Sequence, residues 1–283
     1  MLISITRTRA IFISVLAVFL AGCIGASRPP DAGGPRANEQ TYPVVYQASP
    51  ERIDAVKAVW INLSRSEGIS DAPLPDLEPV TATIRDLPSS GNVTLHLPKV
   101  GTAASMSAED TRESLKRFVD QTRVLIGAEP VQLSLVQNEP AGNAAQIAVF
   151  EQTPFRYPIR NGFGVVRIGF VNDRRVSKFS STCIPNLGVF QRILAGVKTT
   201  VTADQAGQLI PGKSFTYTDK TGQHQFTVAV GTPVTVKPMV LFPIRSNGDA
   251  SIALHLAWEV KVVNGGERTV YIDAVDSQIL AAE

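Results

Sequence analysis

Residues 252–262 read Ile-Ala-Leu-His-Leu-Ala-Trp-Glu-Val-Lys-Val, and every even position is apolar: Ile252, Leu254, Leu256, Trp258, Val260 and Val262. His255, Glu259 and Lys261 fall on the odd positions. Successive side chains of a strand point to opposite faces, so this period of two predicts a strand with a buried even face and Trp258 at its centre. The flanking segments 225–230, 234–243, 268–275 and 278–281 share the strand character, and Asp276-Ser277 reads as the turn between the last two. Thr202-Ala203-Asp204-Gln205 has capping-box spacing and opens a short helix toward Leu209 that Pro211-Gly212 ends.

The same order of elements precedes it. Ser107 and Asp110 fit a capping box, and Leu115, Phe118, Val119, Thr122, Leu125 and Ile126 form one face of a helix that Gly127 and Pro130 end. Strands are predicted at 131–137, 145–152, 164–171 and 175–181, the last two joined at Asn172-Asp173. Helix followed by antiparallel strands, twice over, gives the expectation of an α+β fold built from two consecutive units of a helix packed on strands. Upstream, Ser49 as N-cap and Pro50 at the first position open a helix carrying Ile53, Val56, Trp60 and Leu63, with Gly68 as its stop. Five prolines between 72 and 98 mark an extended connector with a strand or two.

The two units are similar to the propeptides of thermolysin-type and fungalysin-type metallopeptidases. Phe150-Glu151-Gln152-Thr153, Tyr157-Pro158-Ile159 and Gly162-Phe163-Gly164 leading into Val165-Val166-Arg167-Ile168 resemble that family's progression, and the hairpin at 172–176 stands where it places an Asp-Gly turn. The second unit resembles a PepSY domain through Thr202-Ala203-Asp204-Gln205-Ala206, Leu256-Ala257-Trp258-Glu259-Val260 and Tyr271-Ile272-Asp273-Ala274. Arg156 departs from the family's glycine, and Asp276-Ser277 from its Thr-Gly turn. The resemblance implies a propeptide-like module with no peptidase domain attached, acting in trans to inhibit a secreted zinc metallopeptidase or assist its folding. Its implied partner contacts are Phe155, Arg156 and Tyr157 in the loop 153–161, and Ile279 and Leu280 in a free end spanning 277–283. The alternative is an envelope scaffold or assembly lipoprotein with no peptidase partner.

At the other end, Arg7 and Arg9 precede an apolar run at 10–19, too short for a spanning helix, which needs roughly 20 residues. Leu20-Ala21-Gly22-Cys23 resembles the lipobox of bacterial lipoproteins. That resemblance implies cleavage after residue 22, acylation of Cys23 and tethering to a membrane outside the cytoplasm. Ile24, in place of the aspartate that marks inner-membrane retention, points to the outer membrane in a Gram-negative cell. The expected organisation is a signal peptide at 1–22, a flexible tether at 23–45, a helix and Pro-rich region at 46–104, a propeptide-like unit at 105–200 and a PepSY-like unit at 201–283.

Chemistry-bearing motifs are sparse. Loss of Arg7 and Arg9 takes the 27 basic residues to 25, balancing 25 acidic ones, so there is no electrostatic footprint for nucleic acid. His96, His224 and His255 are separated by more than 30 residues, without the His-Glu-x-x-His spacing of a zinc peptidase, so neither metal nor cofactor is expected. Cys183, the one thiol left after acylation of Cys23, sits among Phe179, Ile184 and Pro185 and reads as a buried, inert residue. Gly162-Phe163-Gly164 lacks the third glycine of a dinucleotide fingerprint, and Glu109, Asp110 and Glu113 are explained by a helix start. The chain reads as a binding protein, not an enzyme.

Overall fold

The structure, a computed structural model, describes residues 42–89, 93–101, 106–140, 145–153, 156–246, 251–263 and 266–283. In chain order these form β1 (Val44–Gln47), α1 (Pro50–Ser66), β2 (Asp76–Leu77), β3 (Ile84–Asp86), β4 (Leu95–His96), α2 (Ala108–Gln121) and α3 (Arg123–Ile126). The strands β5 (Leu133–Pro140), β6 (Ala145–Gln152), β7 (Val165–Val171) and β8 (Arg175–Ser181) follow, then α4 (Leu187–Ala195) and α5 (Ala203–Gln208). Last come β9 (Ser214–Asp219), β10 (Gly222–Thr227), β11 (Val234–Arg245), β12 (Ser251–Val263), β13 (Glu267–Asp273) and β14 (Ile279–Ala282).

The local signals act as physics requires. Ser49 accepts from the Arg52 amide at 3.3 Å with Pro50 behind it, and the Ser107–Asp110 and Thr202–Gln205 capping boxes are closed in both directions. Each satisfies amides that the first helical turn leaves without partners. Gly127 ends α3 in the left-handed region, with φ 82°.

One sheet is antiparallel in the order β4-β8-β7-β6-β5. Its core joins Val56 and Trp60 of α1, Leu115 and Phe118 of α2, and Leu125 and Ile126 of α3 to Val166, Ile168, Phe170 and Phe179. The second sheet is centred on β12, with β11 along one side, β1 and β13 end to end on the other, and β14 outside β13. The even face of β12 serves two cores. Ile252, Leu254 and Leu256 pack with Tyr46, Leu187 and Leu194, whereas Val260 and Val262 pack with Ala206, Phe215 and Ile272. Trp258 touches both and is only partly buried, its indole Nε1 donating to the Val201 carbonyl at 2.9 Å.

The expected α+β class, two units of a helix on strands, is overturned. The described chain is mostly β, with 40% of it in strands, 24% in helices and several antiparallel sheets. Element order along the chain misleads because partners are far apart in sequence. β1, which the tether was expected to cover in part, pairs with residues 251–254 of β12, and α1 shares its core with α2 and β7. In the C-terminal half α4 packs Leu187 and Leu194 against one end of β12, whereas the unit expected at 201–283 has a helix of only six residues.

The odd face of β12 is closed as well, with His255, Ala257 and Glu259 all buried. Asp273, fully buried on β13, explains part of this. Its Oδ2 meets His255 Nδ1 at 2.7 Å and accepts from the Tyr42 hydroxyl at 2.8 Å, while its Oδ1 accepts from the Val275 and Asp276 amides at 2.7 and 3.3 Å. Burial pushes this carboxyl up, but His255, the Val275 amide, Tyr42 and the Asp276 amide together outweigh burial and hold it below its ordinary value. A lowered folded value stabilises above the unfolded aspartate value near ~3.9 and is lost as pH falls through the folded one. Asp273→Asn is therefore expected to cost about 3 kcal/mol at pH 7, with the gap to wild type narrowing below pH ~4, as read by chemical denaturation across pH.

Candidate functional site

Cys23 and Phe155, expected as the lipidation site and a partner contact, lie outside the described residues. Tyr157 is buried with Phe163 and Leu254, and the Arg156 guanidinium stands 5.4 Å from its ring centre. Ile279 and Leu280 belong to β14, where Leu280 packs against Phe242 and Tyr271. The segment 277–283 is not free. Glu283 and Thr269 exchange backbone hydrogen bonds of 2.8 and 2.9 Å, so reaching another protein's cleft would mean unzipping a strand. The two expected contact patches also stand apart. Ile159 bridges to Leu241 on the outer edge of β11, whereas β14 forms the opposite edge. With strands about 4.8 Å apart, they are separated by roughly 20 Å.

Each histidine has its own carboxylate. His96 Nδ1 lies 3.0 Å from Glu67, His224 Nε2 lies 3.1 Å from Asp219, and His255 is held by Asp273. Among the described residues, no group of three or more His, Cys, Asp or Glu is placed to hold a metal ion. Cys183 is fully buried, and burial pushes its thiol up to about 12, which keeps it protonated and unreactive.

What the surface does present is an open sheet edge beside an apolar groove. Among the described residues β5 ends its sheet, paired with β6 on one side only. From Ser134 onward it is exposed, including Leu135 at 39% and Val136 at 52%. Val136 is a bulge: Leu135 stands opposite Phe150 and Gln137 opposite Val149, leaving no partner position for the residue between. Next to this edge, Leu115 and Val119 of α2, Val131, Leu133, Leu135 and Phe150 line a groove of about 500 Å³. Val131 is 90% exposed.

α2 walls the groove on one side and the start of β5 on the other, with Phe150 of β6 also in its lining. A protein chain laid along β5 would find every second backbone N–H and C=O of the edge unpaired, with an apolar socket beside them. The rim is basic. Lys116 has no ion-pair partner among the described residues, and Arg112 reaches Glu109 only at 3.7 Å across solvent.

No protein-family model matches this chain, and no curated protein sequence matches it. The likeness to metallopeptidase propeptides and PepSY domains therefore stands on the quoted residues alone. Among the described residues no helix is long and apolar enough to cross a membrane.

The groove residues were half legible. Leu115 and Val119 belong to the predicted helix face, and a strand was predicted at 131–137. Periodicity does not reveal whether a strand is central or at an edge, so Val131, Leu133 and Leu135 gave no sign of their position. If the groove is surplus apolar surface rather than core, Leu135→Asp should shift unfolding by less than about 1 kcal/mol, whereas Phe150→Ala, 7% exposed, should cost about 3–5 kcal/mol. Parallel denaturant titrations of the two variants measure this.

Proposed function

We propose that this chain is a lipid-anchored, non-catalytic binding module, tethered through Cys23 outside the cytoplasm, that holds an extended segment of another protein along β5. The observation carrying this reading is the unpaired edge of β5 beside an apolar groove with Lys116 and Arg112 on its rim. Backbone pairing supplies affinity in strand addition, and sockets for alternate side chains supply selectivity. Apolar residues at alternate positions with acidic ones beside them are the segment this rim and groove select. The protein class implied by the propeptide resemblance is a secreted zinc metallopeptidase of thermolysin or fungalysin type, inhibited or assisted in folding.

This version of a binding module differs from one acting through the loop 153–161 and the segment 277–283. Leu280 and Tyr157 pack into cores and the β14 edge is four residues long, whereas the β5 edge runs for eight residues beside the apolar groove.

Placing a photo-crosslinking residue at Val136 in one full-length variant and at Ile279 in another separates the two in the native envelope. The reading predicts an adduct from position 136 whose crosslinked peptide is an extended segment of a secreted or envelope protein. Adding Leu135→Asp is expected to reduce that adduct about tenfold or more, through loss of apolar burial and insertion of a charge. Adducts from position 279 alone, or an adduct from 136 that Leu135→Asp leaves unchanged, would contradict it. The protein recovered also discriminates between a metallopeptidase partner and the assembly-scaffold alternative.

A further inference from the structure

A second cavity, of about 450 Å³, is walled by α1, the turn after α3 and the start of α4. Three guanidinium groups line it: Arg52, Arg123 and Arg192. One carboxylate, Glu129, is present, and it lies 3.7 Å from Arg123. Asp120 also holds Arg123, at 3.3 Å. Arg123 is thus more than offset, and the five groups together carry a net charge of +1, with Arg52 and Arg192 left without a carboxylate of their own.

Those two charges have no carboxylate. Arg52 is half-buried, with its Nε donating to the Thr81 carbonyl at 2.5 Å and Nη2 to the Val124 carbonyl at 3.0 Å. These carbonyls fix its plane without cancelling its charge, and burial lowers its basicity below the ordinary arginine value. The site is shaped to keep Arg52 there. Gly127, with φ 82°, lies so close that an added Cβ would stand 2.6 Å from Thr83 Cγ2 and 3.0 Å from Arg52 Nη2. Arg192 has no ion-pair or hydrogen-bond partner among the described residues. It sits on α4, whose side chains lean toward the helix N-terminus, and that terminus meets the same cavity at Asn186 and Gly188.

From this arrangement we infer that the cavity is a binding site for a phosphate group, presented as inorganic phosphate or as a small phosphate monoester. Two guanidinium groups without carboxylates of their own, in a cavity whose charged groups sum to a positive value, favour an anion; the planar fork of Arg192 and the donors that Arg52 keeps beyond its two carbonyls can meet its oxygens. A phosphate monoester carries about −1.5 to −2 charges at neutral pH, whereas a carboxylate carries one. The cavity shares the turn 129–132 with the approach to β5, but Arg52 and Arg192 do not line the groove there, so the inference does not depend on the strand-addition reading.

The test is calorimetric titration of the full-length chain in a nonionic detergent with inorganic phosphate, glycerol 3-phosphate and acetate. Saturable one-to-one binding of phosphate, weakened roughly tenfold or more by Arg192→Gln, is expected. Arg192 is exposed and without partners, so this variant keeps the fold, which its melting temperature verifies; Arg52→Gln is avoided because Arg52 also holds Thr81 and Val124. Arg85→Gln, which removes an equal charge elsewhere on the surface, is expected to leave affinity unchanged. Tighter binding of glycerol 3-phosphate than of inorganic phosphate assigns a monoester; the reverse order assigns free phosphate. Absence of saturable phosphate binding, equal loss in Arg85→Gln, or acetate binding as tightly as phosphate would overturn the proposal.

Discussion

Asp273 is a fully buried carboxylate, and an uncompensated charge in that position would cost several kcal/mol. The groups that compensate it come from three parts of the chain: Tyr42 before β1, His255 on β12, and the amides of Val275 and Asp276 in the turn leading to β14. Satisfying one carboxylate therefore fixes where the chain enters the C-terminal sheet, how β13 lies against β12, and where the chain turns back. The Tyr42 hydroxyl also accepts from the Leu256 amide at 2.9 Å, which pins the same residue to the middle of β12. Glu259 on the same face is paired to Arg160 at 2.8 Å, so a face rich in polar residues closes without an orphan charge.

The sheet edges are then treated unequally. The outer edge of β11 is partly covered, because Pro158 and Arg160 exchange backbone hydrogen bonds of 2.9 and 3.0 Å with Leu241. β4 ends the other sheet as a two-residue strand, too short to template another chain. β5 has eight residues and only a bulge, Glu139 and Pro140 to discourage pairing. Its apolar neighbours would be a liability in a protein with no use for them, since exposed apolar edges promote association. That contrast is what supports the proposal that β5 receives another chain.

How much of this was legible depends on whether a signal is local. Capping boxes at Ser107 and Thr202 involve residues three apart, and the even-face alternation of β12 lies within one strand, so both could be read directly. The burial of His255 and Glu259 could not. Their partners Asp273 and Arg160 lie 18 and 99 residues away, and a polar residue on a strand reads as solvent-facing unless its counter-charge is known. Val44 and Val45 of β1 were taken for tether because they follow a segment rich in proline and glycine, and the strand's pairing partner begins 204 residues after its end. α4 gave no capping signal: Asn186 sits in the left-handed region, with φ 56°, and makes no side-chain cap. The loop aromatics misled for a related reason. Tyr157 has the composition of an interface anchor, but a large amphipathic ring fills a core equally well, and here it does.

The central claim is that β5 is a vacant edge that another chain completes. Hydrogen–deuterium exchange on the full-length chain, alone and saturated with the segment recovered at position 136, tests it most directly. In the free chain the amides of residues 133–139 should exchange far faster than those of β7, which is paired on both sides. On binding, protection should rise about tenfold or more in β5, with no change in β14. Slow exchange of β5 in the free chain, or protection gained at β14 instead, would contradict it.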